Sequence, residues 1–258
     1  MNKTVVVPRA ELESLVQRSM PFVGDSGMGG QVFQKFTLFS NGRARSSNGV
    51  VGVEVPFTAL DGVALVLDTC FDALLSTQAD VKITSGDAGR LEVAAAGFRA
   101  RIATVPLEQL PTWPEAPPRA SWVVLPPEAW AGVTAVEFAA EKSAVSEISG
   151  VALRGGVAVA TDRYLLARAR TSQGLPPGFL PGKFLEAIGK VVALGALPIA
   201  VAFTDRAWVR FADGTICWSG LPAQEFPDSV VAAVVDLSKS AGRDLAVRWS
   251  SPAALAEA

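Results

Sequence analysis

The stretch that decides the fold class is VSEISGVALRGGVAVATDRYLLARAR, residues Val145–Arg170. Apolar and polar residues alternate along it, and the alternation stops at Gly155-Gly156 and again at Thr161-Asp162-Arg163. Period-2 alternation that is cut by Gly-Gly and by an Asp-containing turn is typical of β-hairpins. The stretch therefore predicts three short antiparallel strands joined by tight turns.

The first half of the chain carries the same signals. Two Asn-Gly pairs, Asn41-Gly42 and Asn48-Gly49, separate short apolar runs, and both residue types tolerate the positive φ of type I′ hairpin turns. Helical spacing of apolar residues predicts helices at 9–20 and 68–78. Strands are predicted at 5–7, 36–38, 44–47, 51–55, 63–67, 81–84, 91–95 and 98–105.

The second half repeats this order. Val123-Val124-Leu125-Pro126 matches Val5-Val6-Val7-Pro8 at a spacing of 118 residues, and helices are predicted at 128–140 and 182–194. Further strands are predicted at 122–125, 199–203, 207–211 and 215–218, and Gly174–Gly178 as a loop. The pattern predicts an α+β fold of repeated domains, each with two helices packed on antiparallel sheets. The expected divisions are 1–118, 119–236 and 237–258, the last as the start of a third copy or a tail, because 245–255 repeats the strand-Pro-helix opening.

Composition excludes several kinds of chemistry. The 258 residues include no histidine, so His-containing triads, His-containing zinc sites and imidazole bases are ruled out. With a formal charge of −2, nucleic-acid binding requires basic residues gathered on one face. Cys70 and Cys217 both lie in apolar runs and are expected to be buried, reduced thiols and not a disulfide or metal site.

No membrane-spanning run is present in the sequence, and the first residues lack the apolar core of a signal peptide, so a cytoplasmic location is expected. The Gly-rich loop at Gly24–Gly30 resembles a serine-protease nucleophile loop, but without histidine it is interpreted as a plain loop. Asp162 and Asp205 each precede an arginine in a turn without forming the shared cleft that paired catalytic carboxylates need. An enzymatic function is therefore the least favoured of the three hypotheses considered, and neither a cofactor nor a metal is expected.

The amino-acid sequence of Val145–Arg170 indicates one family. I-S-G-V…V-A-T-D-R-Y-L-L-A resembles L-N-G-V…V-A-T-D-G-H-R-L-A, the middle-domain motif of bacterial DNA sliding clamps, the β subunit of DNA polymerase III. Arg163-Tyr164-Leu165 replaces the family's Gly-His-Arg. Phe226-Pro227-Asp228 matches the family's domain-closing F-P-[DN], and Leu110-Pro111-Thr112 is a degraded version of it. The chain is similar to a phage-like or truncated member.

The resemblance implies a non-catalytic processivity factor for DNA replication. Clamps of this family are homo-oligomeric rings of six domains that encircle duplex DNA without reading its sequence, and they bind the polymerase and the clamp loader through short peptide motifs. Lys and Arg on the helices that line the hole contact phosphates. The alternative is a clamp-fold scaffold that binds proteins and does not encircle DNA, marked by the absence of positive potential on its helices.

Two sets of site residues follow from the resemblance. The implied DNA-contacting cations are Arg9, Arg18, Lys142, Lys183 and Lys190. The implied partner-peptide pocket consists of Ile148, Thr161, Arg163, Tyr164, Leu165, Leu166, Pro227 and Val231.

The resemblance also implies the number of chains in the ring. Because a ring of this family has six domains, chains with two domains would form a trimer and chains with three would form a dimer. Because 245–258 reads as an opening without its remaining strands, a longer natural chain that dimerises is slightly preferred. The sequence as given is expected to be a monomer or a weak assembly.

Overall fold

A computed structural model describes residues 4–24, 36–66, 75–77, 79–85, 90–110, 112–142, 148–172, 174–223, 225–229 and 232. The chain forms two compact units. Unit 1 comprises Met1–Pro117, Glu186–Leu197 and Trp208–Ser219, and unit 2 comprises Pro118–Leu185, Pro198–Ala207 and Gly220–Ala258. Residues 68–74 of the helix predicted at 68–78, and the segment from 237 predicted as the start of a third copy or a tail, lie outside the described residues, and the domain boundary near 118 stays a prediction.

Unit 1 begins with a strand and an amphipathic helix. Leu12, Leu15 and Val16 recur at helical spacing in helix α1 (Arg9–Ser19), and all three are buried. The strands that follow β1 (Thr4–Val7) are β2 (Phe36–Ser40), β3 (Arg43–Ser47), β4 (Val51–Pro56), β5 (Val63–Val66), β6 (Val81–Ser85), β7 (Arg90–Ala95) and β8 (Phe98–Val105).

The strands of unit 1 form one continuous sheet in the order β1-β6-β7-β8-β5-β2-β3-β4, and it continues with a strand from much later in the chain. That strand is β16 (Ile216–Gly220), which pairs antiparallel with β4. β15 (Arg206–Phe211) lies next to β16. The far edge of β4 is thus covered by backbone from the second half of the sequence.

Unit 2 contains a four-stranded antiparallel sheet in the order β12-β11-β10-β13. Helix α2 (Pro127–Val136) packs against β11 and β12. The strands are β10 (Gly150–Arg154), β11 (Val157–Thr161), β12 (Leu166–Arg170) and β13 (Gly178–Pro181), and β9 (Val123–Val124) pairs with β14 (Pro198–Phe203). Helix α3 (Gly182–Ala193) begins in unit 2, and its residues from Glu186 belong to unit 1.

The strand registers bear out the predicted internal duplication. The pair Val6↔Lys82 of β1·β6 recurs as Val124↔Ala200 of β14·β9, so both residues shift by 118. The hairpin strands repeat at a different spacing. Arg45↔Glu54 of β3·β4 recurs as Val159↔Arg168 of β11·β12, a shift of 114 for both residues. The segment between the first helix and the first hairpin is therefore four residues shorter in the second copy.

Strand β13 was not predicted. The loop expected at 174–178 is confirmed as far as residue 177, and β13 begins at Gly178 and pairs with β10 through Phe179 and Leu180, both of them buried. Gly178 is required there because a Cβ would come within 2.4 Å of the Phe203 ring. The duplication itself indicates this strand, since β13 stands where β5 stands in the first copy.

The two Asn-Gly turns differ. Asn41 and Gly42 both have positive φ (55° and 70°), as a type I′ turn requires. In the second turn only Gly49 has positive φ, and the Asn48 carboxamide oxygen accepts the N–H groups of Val50 and Val51. The second turn is therefore an Asn-stabilised loop, longer than the two-residue hairpin that was predicted.

Cys217 lies fully buried in β16 with a free thiol, as expected, and burial raises its pKa well above the ordinary range. Cys70 lies outside the described residues. Among the helices that the structure describes, none is long and apolar enough to cross a membrane.

The contact of β4 with β16 can be tested at Gly52. A Cβ on this residue would lie 2.3 Å from the Trp218 ring, so Gly52→Ala should destabilise unit 1 by about 1–3 kcal/mol through overpacking. The control is Gly189→Ala, an exposed helical position with nothing within 4 Å, which should gain about 0.5–1 kcal/mol. Urea unfolding followed by tryptophan fluorescence reports both changes. Equal stability of Gly52→Ala and the parent protein would contradict the described packing of Trp218.

Candidate functional site

An apolar cluster on one face of the four-stranded sheet collects part of the predicted pocket. Its buried members are Ile148, Ala152, Val159, Phe179 and Phe226, and Val157 and Leu166 pack against them half-buried. Phe226, which precedes the predicted pocket residue Pro227, lies with its ring centroid 6.0 Å from that of Phe179. Sequence reasoning placed Ile148 and Leu166 here and missed Phe179 and Phe226.

A polar contact holds the segment after Phe226 against this sheet. Arg154 Nε donates to Asp228 Oδ2 at 2.7 Å, and Arg154 Nη1 donates to the Gly178 carbonyl at 3.0 Å. One side chain of β10 thereby joins β13 to the residues that follow Phe226. Pro227, which lies between Phe226 and Asp228, is half-buried. Val231 lies outside the described residues.

The turn between β11 and β12 presents apolar side chains to solvent. Tyr164 is 99% exposed and Leu165 is 45% exposed, whereas Thr161 at the start of the turn is buried. The Asp162 carboxylate organises the turn, because Oδ1 accepts the N–H groups of Tyr164 at 2.9 Å and Leu165 at 2.7 Å. An exposed aromatic side chain on a turn held by its own backbone is suited to contact a partner.

Arg163 occupies an unusual backbone conformation at the tip of this turn. Its φ is 78°, in the left-handed region, and its N–H donates to Thr161 Oγ1 at 3.1 Å. The resembled motif has glycine at this position, where positive φ carries no steric cost. This chain keeps the turn but places a long cation at a position that costs a non-glycine residue about 1 kcal/mol.

Two of the predicted DNA-contacting cations form ion pairs within unit 1. Arg18 Nη2 lies 2.9 Å from Asp213 Oδ2, and the Arg18 side chain is mostly buried. Arg9 Nη1 lies 3.1 Å from Glu13 Oε2, and Arg9 Nε donates to the Leu75 carbonyl at 2.9 Å. Both guanidinium groups thus serve the packing of α1.

The three lysines are more accessible. Lys142 and Lys183 are exposed, and Lys190 is exposed beside Glu186, with Nζ 3.1 Å from Oε1. Lys190 also lines a shallow cavity whose other lining residues are Gln17, Met20, Pro21 and Leu194. Helices α1, α2 and α3 together carry four basic and four acidic residues. The described helices are therefore electrically balanced as a set.

Unit 1 also buries a carboxylate. Glu54 Oε1 lies 3.5 Å from Arg45 Nε, and Glu54 Oε2 lies 3.8 Å from Arg43 Nε. A buried carboxylate between two guanidinium groups is a structural ion pair and lies apart from the predicted sites. Within the described part of the chain, no three Asp, Glu or Cys residues are grouped as a metal site would need.

The geometry defines a class of protein: repeated α+β units with helices packed on antiparallel sheets, in which the fourth strand of one copy pairs with the last strand of the next. This is the fold of DNA sliding clamps, the β subunits of bacterial DNA polymerase III. The β subunit from Streptococcus pneumoniae superposes with a TM-score of 0.72 at 14% identity, the Caulobacter crescentus clamp with 0.71 at 18%, and the Bacillus subtilis clamp with 0.70 at 14%.

Each superposition covers 90% of this chain and 67% or 68% of the clamp. The sequence matches no protein-family model and no curated protein sequence. The resemblance seen in the motifs is thus confirmed at the level of the fold.

The turn at Asp162 should be sensitive to acid. The N–H groups of Leu165 and Tyr164 lower the pKa of Asp162 below its ordinary value of 3.8. A lowered folded-state pKa contributes stability that is present above the unfolded-state pKa and is lost as the pH falls through the folded-state pKa. Asp162→Asn keeps an acceptor oxygen but removes the charge, so it should be less stable than the parent protein at pH 6, and the difference should disappear below the folded-state pKa. Thermal unfolding of both proteins at pH 6 and at a pH below the folded-state pKa measures this difference in stability. A difference that persists in strong acid would contradict the prediction.

Proposed function

We propose that this chain is a subunit of a ring-shaped DNA sliding clamp, a non-catalytic processivity factor that surrounds duplex DNA and tethers a polymerase to it. The observation that carries the proposal is the superposition of 90% of the chain on bacterial sliding clamps, with the fold repeated inside the chain itself. The resembled clamps act without catalysing a reaction, and the proposal assigns this chain no catalytic residue.

Contact with DNA would involve phosphates and not bases. Lys142 and Lys183 are exposed and make no described ion pair. Each could therefore contact a DNA phosphate directly and release the counterions condensed there. Lys190 would first have to leave Glu186, and Arg18 would have to leave Asp213. Among the five predicted cations, Lys142 and Lys183 are therefore the ones proposed to dominate. The acidic total charge favours weak, sequence-independent binding.

Contact with the polymerase and the loader would occur at the turn and cluster of unit 2. Tyr164 and Leu165 expose apolar surface next to half-buried Leu166, which packs on the cluster that contains Phe226. A short peptide that inserts an apolar side chain beside Leu166 would bury this surface and gain most of its affinity from a few such contacts. Arg163, in place of the family's glycine, adds a cation at the rim.

Encirclement can be tested topologically. The experiment uses the whole assembly that co-purifies with a tagged form of this chain from its native host, bound to linear duplex DNA whose biotinylated ends are closed by streptavidin. The assembly should stay on end-blocked DNA in high salt and leave once a restriction enzyme opens an end, because a ring is held by topology and not by charge. Identical salt elution from blocked and open DNA would contradict encirclement.

The phosphate contacts are tested by charge reversal in the same assembly. Lys142→Glu combined with Lys183→Glu should reduce the slope of log affinity against log salt by about two for each copy of the chain that contacts a short open duplex, since each phosphate contact contributes close to one. Lys82→Glu is the matched control, because Lys82 is also exposed but lies on β6, whereas Lys183 lies on α3 and Lys142 follows the helical segment that ends at Ala139. If the control and the double variant give the same slope, the two lysines do not contact DNA.

The partner surface is tested at Tyr164. Because this side chain is 99% exposed, Tyr164→Ala should leave the unfolding midpoint unchanged and lower polymerase stimulation in primer extension roughly tenfold, the effect of removing one apolar anchor. Phe138→Ala is the control, since Phe138 is another exposed aromatic residue of unit 2, 59% accessible, outside the turn. Full stimulation by Tyr164→Ala in an intact assembly would place the polymerase contact elsewhere.

A second candidate is a clamp-fold scaffold that binds proteins without surrounding DNA. The balance of four basic and four acidic residues on the described helices favours it, as do the ion pairs of Arg9, Arg18 and Lys190. The two functions separate in the experiments above. A scaffold would fail the end-blocking assay and give no salt-dependent DNA binding, yet it would still lose partner binding on Tyr164→Ala.

A further inference from the structure

The solvent face of the sheet β1-β6-β7-β8 in unit 1 carries a group of cations. Residues that stand directly opposite each other on antiparallel strands place their side chains on the same face of a sheet. One row of opposed residues across this sheet consists of Val6, Lys82, Ala94 and Arg99, and the next row consists of Thr4, Thr84, Glu92 and Arg101. Arg90 lies on the same face, because it precedes Glu92 by two residues on β7. The alternate residues of these strands, among them Val7, Ile83 and Val93, are buried and form the other face.

The charged side chains of this surface, called the basic face from here on, are all exposed. They are Lys82, Arg90, Arg99, Arg101 and Glu92, so four cations and one carboxylate give a net charge of +3. The whole chain, by contrast, carries a formal charge of −2. Arg101 Nε lies 3.0 Å from Glu92 Oε1. Within the described ranges no residue forms an ion pair with Lys82, Arg90 or Arg99, so three cations of the basic face lack a described counter-charge.

The fold does not require a cation at the centre of this face. The counterpart of Lys82 in the second copy, 118 residues later, is Ala200, and Ala200 is buried. Asp80, two residues before Lys82, accepts the Arg9 N–H with Oδ1 at 3.1 Å and so serves the start of α1. Like charges on one face repel each other, and a bound anion relieves that repulsion. The basic face is therefore suited to recognition and not to cohesion.

The spacing of the cations defines where anionic groups can lie. Lys82 and Arg99 stand on either side of Ala94, so two strand spacings, roughly 10 Å, separate their Cα atoms. Ala94 is small, and an anionic group above it lies within reach of both long side chains. Arg90 lies four residues from Ala94 on the same strand, about 13 Å away. Val6, on the far side of Lys82, is 60% exposed and adds apolar surface at the end of the row.

This arrangement fits an acidic protein segment better than a nucleic acid. Duplex DNA carries one charge per about 1.7 Å of its axis, so DNA laid across the face would set phosphates against Glu92 as well. The described residues of the two rows include no aromatic side chain on which unpaired bases could stack. A flexible protein segment can place carboxylates at the two cationic positions, pass Glu92 with a neutral residue, and lay an apolar side chain on Val6.

We propose that the basic face binds a flexible acidic segment of a partner protein, with carboxylates that contact Lys82 and Arg99 above Ala94 and Arg90 farther along β7. Binding is dominated by charge, so it is fast and weakens as the salt concentration rises. The contacts use side chains that stand perpendicular to the sheet, so a strand that pairs with the backbone of β8 does not compete for them. The proposal holds whether or not the assembly surrounds DNA.

The probe is a synthetic peptide of Glu-Ser repeats followed by Leu, blocked at both ends, and fluorescence anisotropy follows its binding to the full chain. The matched peptide has Gln in place of every Glu. The Glu peptide should bind roughly tenfold more tightly in low salt, and high salt should remove most of the difference, because exposed ion pairs are screened. Equal binding of the two peptides in low salt overturns the proposal.

Charge reversal tests the location of the site. Lys82→Glu combined with Arg99→Glu should weaken binding of the Glu peptide roughly tenfold, since attractive contacts become repulsive. Arg168→Glu combined with Arg170→Glu is the matched control, because both arginines are exposed on a strand of unit 2 and the change in charge is the same. All four side chains are exposed, so the unfolding midpoints should stay close to that of the parent protein. Equal weakening by both double variants overturns the proposal, because it would mean that total charge attracts the peptide.

A charge swap gives a readout that a structural role would not produce. Each change of a cation to Glu alters the charge by two, so Lys82→Glu, Arg90→Glu and Arg99→Glu together turn the face from +3 to −3. This variant should lose the Glu peptide and bind a peptide that has Lys in place of Glu. A variant that keeps the parent unfolding midpoint and still binds no Lys peptide overturns the proposal.

Two further measurements identify other occupants of the basic face. Short duplex or single-stranded DNA that displaces the Glu peptide more effectively than an unlabelled copy of the peptide overturns the proposal in favour of nucleic acid. Parent chains that form oligomers in light scattering, and that dissociate when the Glu peptide is added, overturn it in favour of a second copy.

Discussion

The backbone N–H and C=O groups at a sheet edge must form hydrogen bonds with another strand or with water. The fold of this chain depends on which partner they have at the edge of β4. β16 comes from the second half of the sequence and pairs with Gly52 and Glu54, so a strand far along the chain completes the sheet of unit 1. The seam needs a residue without a side chain, because the Trp218 ring lies where the Cβ of any other residue at position 52 would stand.

Duplication preserved the backbone pattern but not the chemistry along it. The strands β2–β4 and β10–β12 pair in the same register, yet the pair Arg45↔Glu54 of the first copy has become Val159↔Arg168 in the second. In the first copy these positions hold an ion pair between buried Glu54 and half-buried Arg45, and in the second Val159 belongs to an apolar cluster while Arg168 is exposed. The same strand register thus supports an ion pair in one copy and an apolar cluster in the other.

Much of this fold could be predicted from the residues. Period-2 alternation and the Asn-Gly and Gly-Gly turns located the hairpin strands, because these signals act within a few residues. β13 was missed since Pro176, Pro177 and Gly178 read as a loop, and only pairing with β10 makes the segment a strand. The ion pair between Arg18 and Asp213 joins residues far apart in the sequence and could not be predicted from it, and the role of Arg18 as a DNA contact stays a prediction. Phe226 was noted as a motif residue, but its packing on Phe179 depends on the tertiary fold.

The central claim is that a strand from the second half of the sequence, β16, closes the backbone edge of β4 in the first copy. Residue-resolved amide hydrogen exchange of the free protein tests it most directly. The amides of Gly52 and Glu54, opposite β16, should be as strongly protected as those of Val51 and Val53, whose backbone groups face β3. Rapid exchange of Gly52 and Glu54 beside protected Val51 and Val53 would contradict the account, because it would mean that β16 does not pair with β4.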